Sequence, residues 1–109
     1  MKRLDTTDTP GQLGELVNRI VDAVHPLRII LFGSAARGEM GPNSDIDLLI
    51  IKSGVHRRRM AMDLYEALGG IGHPVDLIVA TPEDIEQYGH SPALVYEPAL
   101  REGKVLYAA

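Results

Sequence analysis

Two aspartates, Asp45 and Asp47, open the run Asp45-Ile46-Asp47-Leu48-Leu49-Ile50-Ile51, and Gly33-Ser34 closes the apolar run Ile29-Ile30-Leu31-Phe32. In a strand, side chains alternate between faces, so residues two apart point the same way and both carboxylates share one face. Two anions held side by side repel each other. A divalent cation between them offsets that cost, because hard oxygen ligands suit Mg²⁺ in charge and size. On the other strand, a residue without Cβ lets a ligand approach the main chain closely, and Ser34 adds a hydroxyl at the turn. A phosphate cradle facing a metal site is the chemistry these two pieces can do. Asp76 stands alone among the apolar residues Val75, Leu77, Ile78 and Val79. Burying such an anion is costly unless it finds a cation or several donors. One divalent ion accepting Asp45, Asp47 and Asp76 explains all three at once. The plainer readings are a strand-ending turn for Gly33-Ser34, and for Asp76 a cap or an ion pair with Arg28 or Arg37. Arg37 can neutralise phosphate charge or pair with Glu39.

The elements that must position these residues follow from periodicity. Residues 1–10 are polar and expected to fray. From Gly11, the apolar positions Leu13, Leu16, Val17, Ile20, Val21 and Val24 recur at helical spacing, and Pro26 stops the helix. A strand over Leu27 to Phe32 is apolar on both faces, as expected where both are covered. Ala35 to Gly38 can turn into a short helix whose positive end would face an anion. The turn-rich loop 38–44 leads into a strand over Ile46 to Lys52. Val55 to Gly70 is the longest predicted helix, with Met60, Leu64, Ala67 and Leu68 inward and Arg57, Arg58 and Arg59 on a solvated face. A strand over Val75 to Val79 follows. Thr81 then caps a helix with Pro82 at its first position. A further helix is expected over Pro92 to Arg101, and Val105-Leu106-Tyr107 as a last strand or cover for the core. The four histidines are scattered over loops and surface, and the four tyrosines are expected to be half-buried with wet hydroxyls.

Composition bounds the classes. The 109 residues are enough for one domain, spanning 1–109, and 45% apolar content is that of a globular protein. Fifteen acidic against eleven basic side chains leave a net charge of -4, which carries no electrostatic footprint for general nucleic-acid binding. No cysteine is present, so disulfides and thiolate chemistry are excluded. No long apolar span or leader is visible, which makes a cytoplasmic location without membrane contact the expectation.

Gly33-Ser34, the residues 35–44, then Asp45-Ile46-Asp47, with Asp76 on a later strand, resemble the signature of the minimal nucleotidyltransferases of the DNA polymerase beta superfamily. The Thr81-Pro82-Glu83-Asp84 helix start and the final Arg101-Glu102-Gly103-Lys104-Val105-Leu106-Tyr107 are similar to that family as well. The resemblance implies an α/β (α+β) fold, a small mixed β-sheet with flanking helices. It implies that Gly33 and Ser34, with Arg37, hold nucleotide phosphates, and that Asp45, Asp47 and Asp76 are catalytic and bind two Mg²⁺ ions, with ATP as nucleotide donor. The chain shows no second domain for an acceptor.

Three functions stay open on that resemblance. The favoured one is an enzyme that transfers AMP to a hydroxyl, expected to be a tyrosine, of a HEPN-type ribonuclease toxin, because solitary domains of this kind resemble the antitoxins of such pairs. The second is a nucleotidyltransferase acting on a small molecule such as an aminoglycoside, its acceptor site completed in a homo-oligomer. The third is a binding module that neutralises a toxin by contact alone.

Overall fold

The computed structural model describes residues 2–3, 11–36, 45–54, 56–69, 74–88 and 96–109. Strands β1 (Lys2–Arg3), β2 (Arg28–Phe32), β3 (Ile46–Ile51), β4 (Val75–Ala80) and β5 (Lys104–Ala108) form one sheet in the order β1-β5-β2-β3-β4. Only β3 and β4 run parallel, so the sheet is mixed. Helices α1 (Gly11–Val24) and α3 (Arg57–Ala67) cover one face. The helices α4 (Pro82–Tyr88) and α5 (Tyr96–Glu102) cover the other, and α2 (Gly33–Ala36) follows β2 directly. This is the small mixed sheet with flanking helices that the motif implied. None of the described helices is long and apolar enough to cross a membrane.

Each face has its own core. Leu13, Leu16, Val17, Ile20 and Val21 of α1 are buried against Ile29, Leu31, Ile46, Leu48 and Ile50 of the sheet and Met60, Leu64 and Leu68 of α3. Burying each such side chain contributes about 1.5–3 kcal/mol before chain entropy is set against it. Ile30, Leu49, Ile51, Ala80 and Ala99 form a smaller core on the α4–α5 side. Consecutive buried residues in β2 and β3 thus serve opposite cores, which is why those strands read as unbroken apolar runs. Gly103 is where α5 turns into β5. A Cβ there would meet Ala99 O, Ile30 Cγ2 and, at 2.9 Å, Leu31 O, so only glycine lets the chain pass this close to β2.

The helix start at Thr81 forms as its sequence implies. Asp84 N–H donates to Thr81 Oγ1 (3.1 Å) and Thr81 N–H donates to Asp84 Oδ2 (2.9 Å). The Thr81 backbone bond, with Arg57 at 3.4 Å from Asp84 Oδ2, holds the Asp84 carboxyl below the usual carboxylate range. Arg57, Arg58 and Arg59 are exposed, as predicted.

Four expectations change. Lys2–Arg3, expected to fray, pairs with β5 at Lys2↔Ala108 and Arg3↔Tyr107, because main-chain pairing at an open strand edge is indifferent to side-chain polarity. The helix expected over Val55 to Gly70 spans Arg57–Ala67, with His56 as its cap, its Nδ1 accepting the Arg59 N–H at 3.3 Å. Ala67 is exposed, since at the end of α3 the inward direction has drifted to Leu68, about 100° away. Tyr107 is fully buried with its hydroxyl unpartnered among the described residues, where a half-buried ring with a wet hydroxyl was expected. It sits on β5 opposite Ile29, within the larger core that α1 and α3 share with the sheet.

Candidate active site

The carboxylates gather at one end of the sheet. Phe32, the last residue of β2, pairs with Asp47 of β3, and Asp47 pairs in turn with Asp76 of β4. Partners in register share a face, so Asp47 and Asp76 both lie on the α4–α5 side, beyond the small core. Asp45 stands just before β3, near enough to Asp47 for its charge to act on that carboxyl. Three residues from two separate stretches of chain thereby lie at the same end of the sheet.

Gly33 lies across from this group. Its φ of +73° is in the left-handed region, and a Cβ built on it would collide with Asp47 Oδ2 and lie 3.2 Å from Asp47 Cγ. The bare α-carbon is therefore what admits the Asp47 carboxylate to its position, a role that the phosphate-cradle reading did not include. The predicted short helix begins here, at Gly33, two residues earlier than expected, because the left-handed glycine turns the chain directly out of β2. The side chain of Ser34, and Arg37 and Glu39 altogether, lie outside the described residues.

Burial raises the Asp47 carboxyl above the ordinary carboxylate value of 3.8, and the negative charges of Asp76 and Asp45 raise it further. Asp47 is half-buried, but Asp45 and Asp76 are exposed. The cost of burying an anion, weighed from the sequence for Asp76, therefore does not arise at this residue. Asp76 occupies the second residue of an edge strand, where the covering helices do not reach. An ion pair between Asp76 and Arg28 is also excluded, because Arg28 pairs with Ile51 at the opposite end of the sheet. Among the described residues, no three histidine or acidic side chains close into a metal cage. Mg²⁺ does not need one, since it retains water and commonly binds through one or two carboxylates plus substrate phosphates. The donor type and the mutual repulsion at Asp47 suit a divalent cation, with Asp45, Asp47 and Asp76 as the candidate holders.

A pH dependence follows. In the metal-free protein the raised pKa of Asp47 makes its ionised form unfavourable in the fold, so the penalty is absent below pH 3.8 and grows as pH rises through the raised value. Asp47→Asn should remove that dependence. Thermal melts in EDTA at pH 7 are expected to show the variant more stable by about 1–3 °C, the exposure of the site keeping the gain small. A lower melting temperature for the variant would mean that Asp47 is held by favourable contacts rather than tolerated.

The model of the family "Polymerase beta, Nucleotidyltransferase" matches residues 15–109. Among solved structures, a toxin–antitoxin complex with AMP-PNP is similar over 92% of this chain and 75% of its own, with 19% identity and a TM-score of 0.69. A mutant MntA–HpeT toxin–antitoxin complex is similar over 88% of this chain and 72% of its own, with 16% identity and a TM-score of 0.64. Among curated proteins, none matches the chain significantly by sequence. With the fold and the strand-borne carboxylates in agreement with that match, the chain belongs to the polymerase beta nucleotidyltransferase family and is a nucleotidyltransferase.

Proposed function

We propose that this nucleotidyltransferase is the antitoxin of a toxin–antitoxin pair and transfers AMP from ATP, with Mg²⁺, to a tyrosine hydroxyl of a HEPN-type ribonuclease toxin. The observation that carries the reading is the carboxylate group Asp45, Asp47 and Asp76 facing Gly33 in a chain of this family. Support for donor and partner comes from the similar structures, one a toxin–antitoxin complex with AMP-PNP. In the mutant MntA–HpeT complex, the two substituted aspartates are two residues apart, the spacing of Asp45 and Asp47.

On this reading Asp45 and Asp47 hold the cation that accompanies the triphosphate, and Asp76 joins them toward the acceptor side. Bound Mg²⁺ would supply charge neutralisation on the phosphates and lower the pKa of a nearby hydroxyl. The bare α-carbon of Gly33 leaves room for the Asp47 carboxylate, and the main chain at this turn, with Ser34 and Arg37, would donate to the phosphates. The acceptor oxygen attacks the α-phosphorus as the bond to the β-phosphate oxygen breaks, and pyrophosphate leaves. Asp76 takes the proton of the acceptor. The protein forms no covalent bond, so positioning and electrostatics carry the rate enhancement.

Intact-mass measurement of a HEPN-type toxin incubated with ATP, Mg²⁺ and this protein should show increments of one AMP residue. An unchanged mass in a stable, neutralised complex would favour a binding module instead. Transfer to an aminoglycoside without any protein partner would favour a small-molecule enzyme.

A further inference from the structure

Strand β4 forms one edge of the sheet, and alternation decides which of its main-chain groups meet β3. Ile46 N–H donates to Pro74 O (2.9 Å) and Lys52 N–H donates to Ala80 O (3.0 Å), so the even-numbered residues of this stretch face β3. Val75, Leu77 and Val79 face outward. An outward N–H on an edge strand is ordinarily left to water. At Leu77 it is not: the N–H donates to the hydroxyl of Tyr65 on α3 at 2.8 Å.

The peptide that carries this N–H is the one that follows Asp76. Its carbonyl belongs to Asp76, an even-numbered residue turned toward β3, so the same peptide plane is held from both sides. Rotation of that plane is the motion that would re-aim the Asp76 side chain near the open start of the strand. Tyr65 is presented from a firm base, since its neighbour Leu64 is fully buried and Leu68 is 5% exposed. The ring itself is 46% exposed, so burial explains little of its presence. Phenylalanine would keep the ring, and it is the hydroxyl that bonds the strand.

We infer that Tyr65 is a positioning residue: its hydroxyl clamps the Asp76–Leu77 peptide and thereby aims the Asp76 carboxylate at the site shared with Asp47. The inference rests on the role proposed above for Asp76.

Tyr65→Phe keeps the ring and removes the clamp. By hydrogen exchange, the Leu77 amide should exchange at least about tenfold faster in the variant, while the Ile78 amide, which faces β3, is unchanged. Titration with Mn²⁺ alone should show affinity weakened by about tenfold, as for other residues that orient a ligand from behind. In the AMP-transfer assay the rate at saturating ATP should fall about tenfold with ATP affinity retained. In an Asp76→Asn background the same substitution should cause no further loss. Equal losses in both backgrounds, or a Tyr65→Phe variant at the wild-type rate, would overturn the assignment. If the wild-type protein transfers AMP to no toxin, the proposed function fails instead, and the clamp is then decided by the other two readouts. Unchanged Leu77 exchange and Mn²⁺ affinity in Tyr65→Phe would sink it.

Discussion

Asp76→Asn is expected to reduce AMP transfer by about two to four orders of magnitude while leaving most Mg²⁺-ATP affinity in place, the range for losing a positioned base or an electrostatic stabiliser. The split follows from placement. On the proposed function, Asp45 and Asp47, from one short stretch of chain at the start of β3, would hold the cation of the triphosphate by themselves, whereas Asp76 comes from β4 and is exposed, open to an acceptor. Asparagine keeps the shape and removes the charge, and because the side chain is exposed the fold should be retained. Removing one of the charges that raise the Asp47 pKa should also ease the metal-free fold slightly. Single-turnover transfer and calorimetric ATP binding, measured on the same preparations, test both halves. Transfer at the wild-type rate would make Asp76 a structural residue and move the search for a third carboxylate to Glu39.

Gly33→Ala should weaken Mg²⁺-ATP binding at least about tenfold and destabilise the fold by about 1–3 kcal/mol. Two costs combine in the native state. A side chain at φ +73° is strained, and the new Cβ would occupy the space of Asp47 Oδ2. The carboxylate must then swing away from the group it forms with Asp45 and Asp76, so binding suffers beyond any loss of stability. A second variant separates the costs. Asp47→Ala removes the colliding oxygen and leaves its Cβ 3.5 Å from the new methyl, an ordinary contact. In the double variant Gly33→Ala with Asp47→Ala, part of the melting temperature should return, whereas nucleotide binding should not. Normal ATP affinity in Gly33→Ala alone would show that neither the bare α-carbon nor the present position of Asp47 is needed for binding.

Much of this architecture was legible in local pattern. The spacing of Leu13, Leu16, Val17, Ile20 and Val21 specifies α1, the two-residue spacing keeps Asp45 near Asp47, and Thr81-Pro82 starts α4, because each depends on residues a turn or less apart. The family was legible for the same reason, since its motif lies in one short stretch of chain with Asp76 as a later mark. Only the tertiary structure decided that β3 and β4 run parallel with Asp47 beside Asp76, and that Lys2–Arg3 closes the far edge of the sheet. It also decided that Gly33 makes room for Asp47, and that Tyr65, whose hydroxyl sequence reasoning left to solvent, bonds the strand of Asp76. Strand register and contacts at an edge are set by hydrogen bonds between segments distant in the chain. No periodicity within either segment records which partner the other will bring.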